Sequence, residues 1–266
     1  MSHQPPRFEE ITEAPGVPLT PEAASMLATR YALAVKHARG GRVLELGCGA
    51  GTGLGLLARR ASQVIGGDFS RVLLGKARAH YGRRVPLVRL SAEALPFRNS
   101  SLDLLVFFEA SYYVPDMERA FDEATRVLAP RGTLLFANAN PDRPDFIRSP
   151  HSTHYHNADQ FRESLERRGL TVEVSAAFPL DRAESSTGAV IGQWWLQRIR
   201  RLLEALHLVP RTLAGRARLK RLLTSRMLDV PPELWPDFAP AAEPVPVTAG
   251  PVSDYKVIYV AARRPS

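Results

Sequence analysis

A seven-stranded, mostly parallel, doubly wound α/β sheet is predicted by three observations. Apolar runs alternate with helical patterns between residues 43 and 138, one run leads into four alternating glycines, and a carboxylate closes the next run. Thr20, Pro21 and the closing Gly40-Gly41 bracket a first helix, with an N-cap, proline in the first turn and a glycine stop. Strands are expected near 43–47, 62–67, 85–90, 102–108 and 132–138, and helices near 52–60, 70–80 and 117–128. A proline-punctuated loop follows Asn140, then a helix from about Ala158 to Arg168 and a strand at 171–178. The last apolar run, 255–262, supplies the final strand, and in such sheets ligands lie beyond the carboxyl ends of the strands.

The run Val43-Leu-Glu-Leu-Gly-Cys-Gly-Ala-Gly-Thr-Gly53 passes from strand to helix through a turn whose residues lack Cβ. Its backbone N–H groups can therefore approach a ligand closely at a helix start. About twenty residues on, Asp68 ends the next strand, where a carboxylate can hold ribose hydroxyls; the alternative is that it only polarises the following helix, whose natural N-cap is Ser70. Thr52 occupies the place of the third glycine of the dinucleotide fingerprint, which argues against NAD and FAD.

Glu45-Leu-Gly-Cys-Gly-Ala-Gly51 with Asp68 resembles instead the first two motifs of class I S-adenosylmethionine-dependent methyltransferases, which have a Rossmann-like fold. Ser91-Ala-Glu-Ala-Leu-Pro-Phe97 is similar to that family's adenine-contacting turn, although its first residue is often Asp. Leu102–Glu109 is similar to its fourth strand with the acidic residue after it, and Arg126-Val-Leu-Ala-Pro-Arg-Gly-Thr-Leu to the R-V-L-x-P-G-G-x-L run of the methyltransferase type 11 subset, with Arg131 replacing a glycine. The resemblance covers residues 43 to about 140. It implies S-adenosylmethionine as donor, S-adenosylhomocysteine as product, and Tyr31, Glu45, Gly47, Cys48, Gly49, Gly51, Asp68, Phe69, Ser91, Ala92, Glu93 and Glu109 as donor-binding residues. For Tyr31 and Cys48 the competing reading is core packing.

Methyl transfer from a sulfonium is an in-line displacement that needs alignment and exclusion of water, and for some acceptors a general base. The candidate catalytic residues are His154, His156, Tyr113 and Glu109, with Tyr112 and His151 expected in the same cleft. No metal is expected, because a closed zinc site needs four ligands and no cysteine lies near the three histidines.

The chain has 266 residues, 45% hydrophobic and 23% charged, with no uninterrupted apolar run near the roughly 18 residues of a membrane span. An N-terminus without a signal-peptide pattern and a single Cys48 lead us to expect a cytoplasmic protein. The net charge is +8, and residues 181–229 hold ten Arg or Lys against four acids. We expect a core formed by 1–180 with 254–266, and an insertion at 181–253 acting as lid or partner surface. Within the insertion, Trp195, Ile199, Leu202, Leu203 and Leu206 follow a helical stripe, and seven prolines between 230 and 252 indicate an extended strap or mobile loop. Its basic face suits an acidic substrate, a membrane surface, RNA or plain solvation, and it is a candidate homodimer contact. The functional expectation is a methyltransferase for a small organic acceptor, a secondary metabolite, quinone or lipid-like compound. The alternatives are an RNA methyltransferase and a non-catalytic scaffold that grips a partner or membrane.

Overall fold

The computed structural model describes residues 14–149, 152–180, 227–250 and 252–266. A short strand β1 (Pro18–Leu19) precedes α1 (Pro21–His37), which Thr20 starts by accepting the Ala23 N–H at 3.2 Å on its hydroxyl. β2 (Arg42–Leu46), α2 (Leu54–Ala58), β3 (Gln63–Asp68), α3 (Arg71–Tyr81) and β4 (Leu87–Arg89) make the first half of the sheet. β5 (Leu102–Phe108), α4 (Met117–Val127), β6 (Leu128–Ala139), α5 (Ala158–Glu166) and β7 (Thr171–Pro179) continue it. Two-residue strands β8 (Leu228–Asp229) and β9 (Val245–Pro246) come before the last strand, β10 (Tyr255–Arg263).

The sheet order is β4-β3-β2-β5-β6-β10-β7-β9, eight strands rather than the predicted seven. The extra member, β9, is a two-residue edge strand of the proline-rich segment, where Pro246 cannot donate to a ladder and so sits at an edge. β2 through β6 pair in parallel, while β10 runs antiparallel between β6 and β7. The ends after β3, β5 and β6 therefore share one edge of the molecule.

The central strands read as continuous apolar runs because both of their faces are covered. Val43, Leu104, Val106 and Tyr259 pack towards α1, α2 and α3; Leu44, Leu105, Phe136 and Ile258 pack towards α4 and α5. Period-two alternation along β2 then places Glu45 on the α1 side with Val43.

Three elements differ from their predicted bounds, β4, which is only Leu87–Arg89, β6 and α2. β6 starts at Leu128, four residues early, because Leu128 pairs with Leu102 before the register shifts and Thr133 pairs with Leu104. Within that irregularity Arg131 has φ +64°, the left-handed conformation that a glycine adopts at no steric cost, and its N–H reaches Arg264 O at 3.0 Å. α2 spans only Leu54–Ala58, because the glycine turn uses the residues before it.

Residues 230–242 cross the α1–α2–α3 layer before the segment reaches the sheet edge at β9. Leu234 N–H bonds Thr52 O at 2.8 Å, Ala242 N–H bonds Thr29 Oγ1 at 2.8 Å, and Glu233 pairs with His80 and Arg84, each at 2.9 Å. The stripe from Trp195 to Leu206 and the arginines at 182–226 lie outside the described residues.

Gly75 sits on the exposed side of α3, where an added Cβ would meet nothing within 4 Å. Gly75→Ala should stabilise the protein by about 0.5–1 kcal/mol and raise the melting temperature by about 2 °C in a thermal scan, since it removes the glycine penalty without a clash.

Candidate cofactor and acceptor site

The glycine turn is shaped by what crowds it. Gly47 has φ +67°, and a Cβ there would come within 2.5 Å of Ala110 Cβ at the end of β5; a Cβ on Gly53 would fall 1.8 Å from the Tyr31 ring. Both positions need glycine because neighbouring elements occupy the space a side chain would use. Tyr81 of α3 props the turn, its hydroxyl donating to Gly51 O at 2.8 Å and accepting the Gly55 N–H at 3.0 Å. Cys48 is buried between these groups, and burial pushes its thiol well up, so it stays protonated.

Asp68, 8% exposed, joins the turn to α3: Oδ2 accepts the Gly49 N–H at 2.8 Å and Oδ1 the Ser70 N–H at 2.7 Å. Burial raises its carboxyl against the pull of these bonds. Ser70 caps α3 through its own hydroxyl, so the carboxylate is not needed as the cap, although the Phe69 N–H also acts on it. Phe69 follows, 55% exposed, with the Arg89 guanidinium 5.5 Å from its ring centroid. Leu90 N–H bonds Asp68 O at 3.1 Å, which brings the Ser91 turn alongside. There the Ser91 hydroxyl accepts the Glu93 N–H and contacts Glu93 Oε2, both at 3.2 Å, while Glu93 Oε1 accepts the Asp116 N–H at 2.8 Å. Glu93 thus ties the turn to the start of α4, and Ala92 remains half-buried between them.

Beneath the turn lies a buried polar cluster. Tyr31 donates to Glu45 Oε1 at 2.5 Å, while Glu45 Oε2 is buried with no hydrogen-bond partner among the described residues. Burial raises the Glu45 carboxyl to about 7, opposed by Tyr31 and by the Arg30 guanidinium. Arg30, 4% exposed, lies 3.8 Å from Glu109. Glu109 has φ +48° and accepts the Tyr112 hydroxyl at 3.0 Å, so a strained backbone turns its carboxylate back towards α1. On β10, Tyr259 carries a buried hydroxyl without a partner among the described residues; Arg30 and Glu109 both act on it electrostatically.

Around Glu109 stands an aromatic wall. Tyr112 stacks on Tyr155 at 4.2 Å, Phe146 meets Tyr155 edge-on at 4.7 Å, and the Tyr113 hydroxyl contacts Ser149 Oγ at 2.7 Å. Thr153 N–H anchors this loop to Tyr112 O at 2.7 Å. His156 instead packs against Phe121 and Phe161, at 5.6 and 5.4 Å, and against His154 at 4.6 Å. Burial and the neighbouring histidine lower its imidazole to about 4, so it is neutral at pH 7 and a weak base. His154 is exposed, and His151 lies outside the described residues.

Sequence patterns did not mark Arg30, Tyr81, Tyr155 or Tyr259. The available signal was an arginine beside Tyr31 on an otherwise apolar helix face and isolated tyrosines, only Tyr259 of them in an apolar run, which read equally well as surface or core.

Residues 44–136 match the family model described as a methyltransferase domain. A protein described as a probable S-adenosylmethionine-dependent methyltransferase of Mycolicibacterium smegmatis is 36% identical over 143 residues, 52% of this chain and 55% of its own length. A fatty-acid O-methyltransferase of the same species is 30% identical over 171 residues, 60% of this chain and 59% of its own. Among solved structures the cyclase SpnF aligns with a TM-score of 0.57 over 97% of this chain and 85% of its own at 20% identity, a likeness of fold. Residues 44–136 therefore form a methyltransferase domain, similar in sequence to that of S-adenosylmethionine-dependent methyltransferases. It spans a little over half the length of these curated relatives.

A carboxyl raised on folding binds its proton more tightly in the native state than in the unfolded one. Stability from Glu45 is therefore complete below the unfolded value, near 4.5, and is lost as pH rises through about 7. Denaturant titrations of the ligand-free protein should show stability falling across that window by up to roughly 3 kcal/mol, and Glu45→Gln should flatten the fall.

Proposed function

We propose that this chain transfers the methyl group of S-adenosylmethionine to a small, lipid-like organic acceptor. The observation that carries the reading is Glu45 Oε2, buried and without a partner among the described residues, at the foot of a turn that tolerates no Cβ at Gly47. A buried carboxylate oxygen of this kind suits a ligand ammonium, and the bare turn suits close approach of the rest of an amino-acid tail. The same reading gives Asp68 the ribose hydroxyls, Phe69 and the Ser91-Ala92 turn the adenine, and Tyr31 the role of orienting Glu45. Bound S-adenosylmethionine supplies the electrophilic methyl.

The chain's own residues then align the acceptor and handle its proton. Ala110 abuts Gly47, which puts the adjoining Glu109 beside the turn and makes it the first candidate among the four catalytic residues. Burial and the Glu109 charge drive the Tyr112 hydroxyl far up, so Tyr112 serves as a hydrogen-bond donor that orients Glu109. Tyr113 lines the aromatic wall, which excludes water from the acceptor. In this reading His154 and His156 contribute as loop residues unless the loop shifts on binding. Support for a lipid-like acceptor comes from the similarity to a fatty-acid O-methyltransferase. Residues 181–253 are taken as a lid or partner surface over the core.

Saturating S-adenosylmethionine should raise the melting temperature, and Asp68→Ala should remove most of the shift; an unshifted wild type rejects the reading. Calorimetric affinity for the donor should rise as pH increases through about 7, because its ammonium favours ionised Glu45, and Glu45→Gln should abolish that pH dependence. Gly47→Val should eliminate donor binding while leaving the secondary-structure content unchanged by circular dichroism.

A further inference from the structure

The two helical faces differ in electrostatics. On the α4–α5 face four arginines are matched, Arg126 with Glu123, Arg162 with Asp159, Arg167 with Glu118 and Arg168 with Asp122 and Glu118, while Arg119 reaches the backbone carbonyl of Glu93. The opposite flank has no such balance. Residues 69–92 contain Arg71, Lys76, Arg78, Arg83, Arg84 and Arg89 and not one acid. Of these only Arg84 has a carboxylate partner among the described residues, Glu233 at 2.9 Å; Arg78 and Arg89 reach backbone carbonyls, Leu87 O at 3.3 Å and Phe69 O at 3.1 Å.

All six cations are exposed. In α3 the buried residues are Leu73, Leu74, Ala77 and Tyr81, so helical spacing puts Arg71, Val72, Lys76 and Arg78 on the outward arc. Two large apolar side chains share that flank, Phe69 at 55% and Val72 at 46% exposure. Phe69 immediately follows Asp68, so this apolar pair lies at the carboxyl end of the strands, where the glycine turn opens.

We propose that the outer face of α3 and its flanks, from Phe69 to Arg89, is a docking surface for an anionic lipid bilayer. Uncompensated cations spread along one face are attracted to a charged plane at about 1 kcal/mol each, or roughly fivefold in binding constant. Exposed Phe and Val among them have a use at a bilayer, where they can enter the headgroup–acyl boundary, and little use against a phosphate backbone. Val72 is aliphatic, the Phe69 ring carries Arg89 and the His80 ring is paired with Glu233, so the row of aromatic rings on which single-stranded nucleic acid stacks is lacking among the described residues of this face. The inference stands independently of methyl transfer, since it needs neither donor nor acceptor.

The test is co-sedimentation of the full chain with vesicles of phosphatidylcholine alone and of phosphatidylcholine with about 30% phosphatidylglycerol, at about 0.05 M and about 0.5 M salt. Binding should require phosphatidylglycerol, fall at high salt, and drop about a hundredfold in Arg71→Gln/Lys76→Gln/Arg83→Gln. These side chains are solvent-facing, so the melting temperature of the variant should match that of the wild type. Val72→Ser should weaken binding several-fold at unchanged charge, and the paired Arg167→Gln on the opposite face should leave it unchanged. The basic segment 181–226 stays intact in every variant. The proposal is overturned by equal binding to neutral vesicles, by no binding to anionic ones, by full binding of the triple variant, or by tighter binding to single-stranded RNA or polyglutamate than to anionic vesicles.

Discussion

The burial of one carboxylate organises this structure. Glu45 ends up on the inner side of β2 because a parallel strand alternates its side chains, and removing an unpaired carboxylate from water costs several kcal/mol. The fold limits that cost in three ways: Tyr31 donates to one oxygen, the Arg30 guanidinium lies in the same cluster, and the carboxyl holds its proton up to about pH 7. The other oxygen is left buried and without a partner among the described residues. A group kept at this expense where a glycine turn faces a cleft is well suited to meeting a charged ligand, and the surrounding elements follow from it. α1 must lie close enough for Tyr31 to fill the space above Gly53, and β5 must end where Ala110 fills the space above Gly47.

The second consequence is a division of labour between loops. Asp68 uses both oxygens on backbone N–H groups of the two segments that it joins, so the carboxylate that faces the cleft is also the part that fixes the cleft's width. Glu93 does the same for the Ser91 turn and α4. On the other side Glu109 is held in a left-handed conformation between Arg30 and Tyr112, with stacked Tyr155 behind. The polar groups are thereby preset before any ligand arrives, which lowers the ordering cost of binding. The strap from Val230 to Ala242 reinforces the arrangement from outside, bonding Thr52 beside the turn and pairing Glu233 with α3.

Much of this was legible in the chain. The strand–glycine–helix run at 43–53, the carboxylate at 68 and the apolar run at 102–108 carry their structure locally, through absent Cβ atoms and side-chain periodicity. Less legible was β6, whose early start at Leu128 depends on pairing with Leu102, and β9, a two-residue edge strand within a proline-rich stretch. The histidines illustrate the limit. Alternate spacing of His154 and His156 suggests a shared face towards a cleft, yet Phe121 and Phe161, from helices far apart in sequence, receive His156.

The amino-acid sequence by itself determined the α/β class, the glycine turn, the acidic residue after the second sheet strand and, through resemblance, the kind of cofactor. All of these depend on neighbours within about twenty residues, where backbone geometry and hydrophobic period act directly. Only the tertiary structure decided that Arg30, Glu45, Glu109 and Tyr259 meet beneath the turn, and that Arg71, Lys76 and Arg78 lack the carboxylates that Arg126, Arg162 and Arg168 possess among the described residues. Those pairings depend on strand order and on which helix covers which face, and no local pattern of residues encodes the distance between two side chains that lie on different elements of a sheet.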